Sequence, residues 1–169
     1  MSRVETIKRV TEILTNYNQV VIEEMKELAE DGKSFYLKYQ NWCEGIVEDI
    51  EKVEQYEKVL YAYWTVGYEK ELKYGAYIDW KESGGEIINQ LCMVTENLGY
   101  KVQLEEYEYS EEEETEEIIK GIDGCLEKKG YRLVILDTDS DSYHLYMIKA
   151  NDYDELIENG KEITYRFYN

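Results

Sequence analysis

The sequence predicts an α+β fold, in which an N-terminal long helical hairpin packs with a small mostly antiparallel sheet and three shorter helices. Three observations predict it. Apolar positions recur three and four apart through the first part of the chain, as in amphipathic helices. The second part mixes short strand-like and helical runs with no regular βαβ repeat. Residues 131–150, YRLVILDTDSDSYHLYMIKA, read as a hairpin whose strands flank a knot of Asp and Ser. At 169 residues one domain with its own core is expected, with 1–73 as the helical hairpin and 74–169 as the mixed part.

Val4, Ile7, Val10, Leu14, Tyr17, Val21, Met25 and Leu28 form one apolar stripe, which predicts a single helix over 4–28. Residues 30–34, EDGKS, break the pattern, with Gly32 suited to a C-terminal cap. Trp42, Ile46, Ile50, Val53, Tyr56, Leu60 and Tyr63 predict a second long helix. Glu48 with Lys52, and Glu54 with Lys58, are spaced to pair on its wet side. A short break between two long helices folds them back on each other. Neither helix keeps a strict heptad, which speaks against an extended coiled coil.

In GAYIDWKE, residues 75–82, Ala76, Ile78 and Trp80 alternate with polar neighbours and predict a strand with one dry face. Ser83, Gly84, Gly85 and Glu86 read as a capping box, opening a helix with Ile87, Ile88, Leu91, Val94 and Leu98 inward and Gly99 at its end. Two glycines between strand and helix raise the question of a phosphate cradle. No G-x-G-x-x-G or G-K-[S/T] is present, and Asp79, Glu82 and Glu86 surround the turn, which argues against anion binding.

Val102 and Leu104 suggest a short strand. From 105 to 117, nine of thirteen residues are glutamate, a block that repels itself and belongs in a solvated loop or helix start. Such a block also has the charge to mimic phosphates in a basic cleft. Ile118, Ile119, Ile122, Cys125 and Leu126 predict a short helix closed by Lys128, Lys129 and Gly130. In the hairpin, Leu133 to Leu136 is apolar on both faces, as in a strand covered from both sides. A last helix begins at Asn151, turns Leu156 and Ile157 inward and stops at Asn159–Gly160. Ile163, Tyr165 and Phe167 alternate into a closing strand.

A formal charge of −19 repels nucleic acid and anionic membranes and favours a basic protein as partner. No Lys/Arg cluster offers a phosphate-backbone site. Cys43, Cys92 and Cys125 are widely spaced with no C-x-x-C, so neither a disulfide framework nor a zinc site is expected. Their apolar neighbours suggest buried small hydrophobes in a reducing compartment. MSRVETIKRV has no apolar leader core and no 18-residue apolar run occurs, so a soluble cytoplasmic protein is expected.

Asp137, Asp139 and Asp141 are spaced like the start of a calcium loop, but Ser142 and Ile148 stand where an EF-hand needs Gly and Glu. Asp and Ser in such loops more often bond their own backbone to shape the turn. His144, the single histidine, is a candidate base beside an aspartate. Ser140 and Ser142 sit in no G-x-S-x-G elbow, and a triad of adjacent residues cannot converge. Buried on a helix face, Cys92 is a poor nucleophile. Phe35, Tyr36, Tyr39 and Trp42, with Tyr61, Tyr63, Trp64 and Tyr68, form aromatic clusters, mostly core at this spacing or else a contact patch.

GAYIDWKE and GYRLVILDTDSDSYHLYMI resemble an uncharacterised bacterial family of small acidic domains over residues 74–150. The resemblance implies an α+β domain with no assigned chemistry. In general character the chain is also similar to immunity proteins that neutralise bacterial toxins. The expected function is therefore a non-enzymatic, cofactor-free inhibitor of a basic, nuclease-like toxin. Its expected contacts are Glu111, Glu112, Glu113, Glu114, Asp137, Asp139, Asp141, His144 and Asp79. The alternatives are a small ligand- or metal-binding domain or enzyme using Asp79, Asp137 and His144, or a helical dimerisation module.

Overall fold

Breaks in the helical pattern shape the N-terminal half. The computed structural model describes residues 1–169. Helix α1 (Arg3–Leu14) is capped by Ser2, whose hydroxyl accepts from the Glu5 amide at 3.3 Å. It does not run on to residue 28. Asn16 and Tyr17 have φ of 48° and 66°, and the Asn18 carboxamide caps α2 (Gln19–Glu30) by accepting from the Val21 amide. The expected single helix is thus itself a hairpin. Its stripe stays in phase because α1 and α2 bury their apolar faces in the same core. Asparagine at the turn suits the left-handed backbone there.

Gly32 begins a helix where a helix end was expected. Asp31 caps α3 (Gly32–Lys38) by accepting from the Ser34 amide at 3.0 Å. A Cβ on Gly32 would stand 2.6 Å from the Val53 side chain, so glycine is needed for the close approach. The expected helix over 42–63 is divided as well. It becomes α4 (Gln40–Cys43), a single 3₁₀ turn (Ile50–Lys52) capped by the Asp49 carboxylate, and α5 (Glu57–Val66). The Glu48–Lys52 and Glu54–Lys58 pairs therefore do not form; Lys58 reaches Asp139 instead.

The mixed half holds β1 (Ala76–Ile78), α6 (Gly84–Leu98), α7 (Thr115–Glu127), β2 (Tyr131–Leu136), β3 (Tyr143–Lys149), α8 (Tyr153–Glu162) and β4 (Phe167–Tyr168). The strands form one antiparallel sheet in the order β1-β3-β2-β4. The three later helices are not the shorter ones expected: α6 and α7, at 15 and 13 residues, outrun α1 and α2 at 12 each, because the expected N-terminal helices are divided. Leu133–Leu136 and His144–Ile148 are buried throughout, because α7 packs on β2 while α1 and α5 pack on β3. Strand β1 slips in closely. A Cβ on Gly75 would meet the Leu145 carbonyl and the Tyr146 and Val66 side chains, all under 3 Å. Buried hydroxyls are paired, Tyr61 with Thr11 at 2.8 Å and Tyr146 with Thr65 at 2.7 Å.

Several strands are shorter than the pattern suggests. Strand β1 ends at Ile78 because Asp79 turns the chain, its carboxylate accepting from the Lys81 amide. Trp80, expected on the dry face, is 53% exposed. Leu104 is buried, but the segment around it is not a strand. Helix α8 runs past Asn159–Gly160, and Thr164 at φ 65° then delays β4 to Phe167. No helix is long and apolar enough to cross a membrane.

Candidate functional site

The turn after β1 and the glutamate block meet in a cleft. Ser83 caps α6 by accepting from the Glu86 amide, and the paired glycines behind it leave room for a ring. A Cβ on Gly84 would lie 2.5 Å from Tyr109, so this aromatic side chain rests directly on the helix start. The Thr115 hydroxyl donates to the Glu82 carbonyl at 3.1 Å, fastening the start of α7 to the same turn. The Glu114 amide donates to the Glu117 carboxylate at 3.0 Å, so Glu117 reaches back from the first turn of α7 to hold the residue that caps it. Between these segments lies a cavity of about 530 Å³. Trp80, Tyr109 and Ile118 give its apolar lining, and Glu82, Glu111, Glu113 and Glu114 its acidic rim.

Lys81 supplies the one basic side chain of this cleft. Its ammonium lies 4.2 Å from the centre of the Trp80 ring and has no carboxylate partner. The arrangement is a cation–π contact at an exposed site.

The hairpin loop lies at the same end of the sheet. Ile78, just before Asp79, pairs with Tyr143, which follows the loop. Tyr143 is in turn close enough to Glu114 and Glu116 for their charge to help burial push its phenol up. Asp79, the end of the glutamate block and Asp137–Asp141 therefore share one acidic end. Glu111, Glu112, Glu113, Glu114, Asp79 and Asp141 form no ion pair. Asp137, Asp139 and Glu116 are partly offset by Arg166, Lys58 and Lys120 at 3.7, 3.3 and 2.9 Å.

Within the loop, the Asp137 carboxylate accepts from the Asp139 amide at 3.0 Å, and Asp139 adopts φ 58°. Thr138 bonds Ser140 through their hydroxyls, and the Ser140 hydroxyl donates to the Ser142 carbonyl. These are turn-shaping bonds. No three Asp, Glu, His or Cys side chains converge as a metal site.

His144 does not belong to this surface. It is 0% exposed, packed edge-on against Tyr63 and Tyr77 at 4.6 and 5.5 Å. Its Nδ1 lies 3.3 Å from the Thr138 hydroxyl, while Nε2 has no partner. Burial pushes the imidazole down to about 4, so it is neutral near pH 7. The strand position that makes it core also removes it from any contact with a partner.

The aromatic clusters are mainly internal. Trp64 packs with Phe35, Tyr39 and Trp42, and its indole donates to Glu24 at 2.8 Å. Cys43 is buried and Cys92 half-buried, with their thiols pushed up to about 11 chiefly by burial; Cys125, expected inside, is exposed. Sequence reasoning missed Tyr109 and Lys81 as parts of the cleft. The signal was Gly84–Gly85, where the space serves a tyrosine ring and not an anion.

The family described as Domain of unknown function (DUF6630) matches residues 6–169. No curated protein and no solved structure matches the chain.

Proposed function

The chain belongs to the DUF6630 family, and we propose that it is a non-enzymatic binding protein that neutralises a basic partner, in the manner of an immunity protein acting on a nuclease-like toxin. The observation that carries this reading is the acidic end of the sheet, where uncompensated glutamates rim a cleft containing the exposed Trp80 and Tyr109. Negative charge speeds encounter with a basic protein, and aromatic side chains supply the desolvated contact area that holds it. With a net charge of −19, the same field disfavours nucleic acid as a direct ligand.

The test is capture of partners from the native host at two salt concentrations, with identification by mass spectrometry. One basic protein retained in stoichiometric amount, and released faster at high salt, supports the reading. Retention of none overturns it. Neither alternative gains from the geometry. The His144 imidazole is sealed among tyrosines and out of solvent, and most of the helical stripes a dimerisation module would share pack into this chain's own core, leaving Tyr17 and Tyr56 exposed.

A further inference from the structure

We propose that the cleft between the 79–85 turn and the glutamate block is a receptor for an arginine side chain presented by the basic partner. Its guanidinium would lie against Trp80 and Tyr109 and be paired by Glu111, Glu113 or Glu114. The inference deepens the binding reading above and rests on it.

Three features of the cleft select this occupant. First, its ring already holds a cation. Lys81 lies over Trp80 at 4.2 Å without an ion pair to fix it there, so the ring face accepts a cation, and an incoming guanidinium binds by displacing this ammonium toward solvent. Second, the walls are aromatic and the rim anionic. Trp80 and Tyr109 are 53% and 37% exposed beside glutamates that form no ion pair. A planar guanidinium satisfies both at once, stacking on a ring while its N–H groups reach carboxylates, whereas an ammonium is a more strongly hydrated point charge. Third, the carboxylates are spread around about 530 Å³ and do not converge as a small metal ion requires. That space admits an arginine together with part of the loop that presents it.

Tyr109 is placed by backbone geometry. It lies on Gly84, and Thr115 bonded to Glu82 keeps the two walls together. The recognition site is consequently built by the strand-to-helix turn, and its charge is supplied by the glutamate block.

The probes are hexa-arginine, hexalysine and hexa-citrulline, titrated calorimetrically into the full chain and its variants, with Trp80 fluorescence followed in the parent against a Trp80→Phe reference. Arginine peptide should bind saturably and at least fivefold tighter than lysine peptide, with no binding of the neutral citrulline peptide. Trp80→Ala, and separately Glu111→Gln with Glu113→Gln, should each weaken arginine binding about tenfold while the circular dichroism spectrum is kept. Both sets of positions are exposed, and the paired glutamine variant covers the case in which Trp80→Ala disturbs the turn. Equal affinity for arginine and lysine peptides, or binding unchanged by Trp80→Ala, would overturn the cleft proposal. If a basic protein is captured from the host yet Trp80→Ala captures it equally well, the cleft fails and the acidic binding reading stands. Failure to capture any basic protein, with arginine peptide still seated at Trp80, removes the reading and leaves only a cation-binding cleft.

Discussion

Two buried polar residues set the terms for stability at the scale of single side chains. His144 is held neutral inside the sheet, with its Nε2 unpartnered and its pKa lowered by burial from 6.5 to about 4. Between those values the unfolded chain takes up a proton that the folded chain refuses. Its contribution is complete above the unfolded value and is lost as pH falls toward the folded one. The loss by pH 4.5 is roughly 2–3 kcal/mol. Urea unfolding at pH 7 and 4.5 should show that much less acid sensitivity in His144→Phe than in the parent; an identical pH dependence would place the proton elsewhere. Asp123 is the other case. It accepts from the Arg132 guanidinium, from the Leu133 amide at 2.7 Å and from Asn169, joining α7 to β2 and the chain's last residue. Asp123→Ala strands a buried amide and leaves the Arg132 guanidinium only its longer contact to Glu127 at 3.6 Å, and should cost roughly 3 kcal/mol. Asp123→Asn, which keeps an acceptor, should cost visibly less in the same urea titration.

Turns and caps, more than apolar periodicity, decided where the elements begin and end. The antiparallel sheet, its central hairpin and the three later helices were legible because their apolar runs are bounded by turn residues, although α8 runs past its expected glycine stop. The N-terminal hairpin was misdrawn because three-and-four spacing cannot distinguish one long helix from two that share a core; the information lay in Asn18 and Asp31, which cap α2 and α3. At the candidate site the acidic residues could be named from charge alone. The cleft could not, because Trp80 continues the alternation of β1 and only the turn at Asp79 moves it outside. Thr164 marks a place where the chain tolerates strain. A β-branched residue at φ 65° is unfavourable, and Thr164→Gly should raise stability by about 1 kcal/mol in thermal or urea unfolding. The hairpin loop behaves differently. Asp137 and Asp139 shape their own turn, whereas Asp141 bonds nothing, so Asp141→Asn should slow partner association without changing the melting temperature. A lowered melting temperature would reassign Asp141 to the turn.

For the molecule as a whole, a charge of −19 on 169 residues implies self-repulsion that folding concentrates and unfolding relieves. The surface ion pairs offset little of it, since exposed pairs such as Lys33–Glu51 and Lys120–Glu116 are screened by water. Added salt shortens the reach of that repulsion to about 8 Å at 0.15 M and about 3 Å at 1 M. The folded state therefore gains on the unfolded one as sodium chloride rises, while capture of a basic partner weakens. Opposite salt responses of stability and binding follow from the same charges. Raising sodium chloride from 10 mM to 0.5 M should lift the melting temperature by about 2–4 °C, the shift that roughly 1 kcal/mol produces in a chain of this size. The triple change Glu111→Gln, Glu112→Gln and Glu113→Gln should reduce that lift and slow partner association together, because it thins the field at one acidic end. A triple variant with the full salt response but slower association would assign those glutamates a local role in the cleft, and the repulsion to the remaining surface.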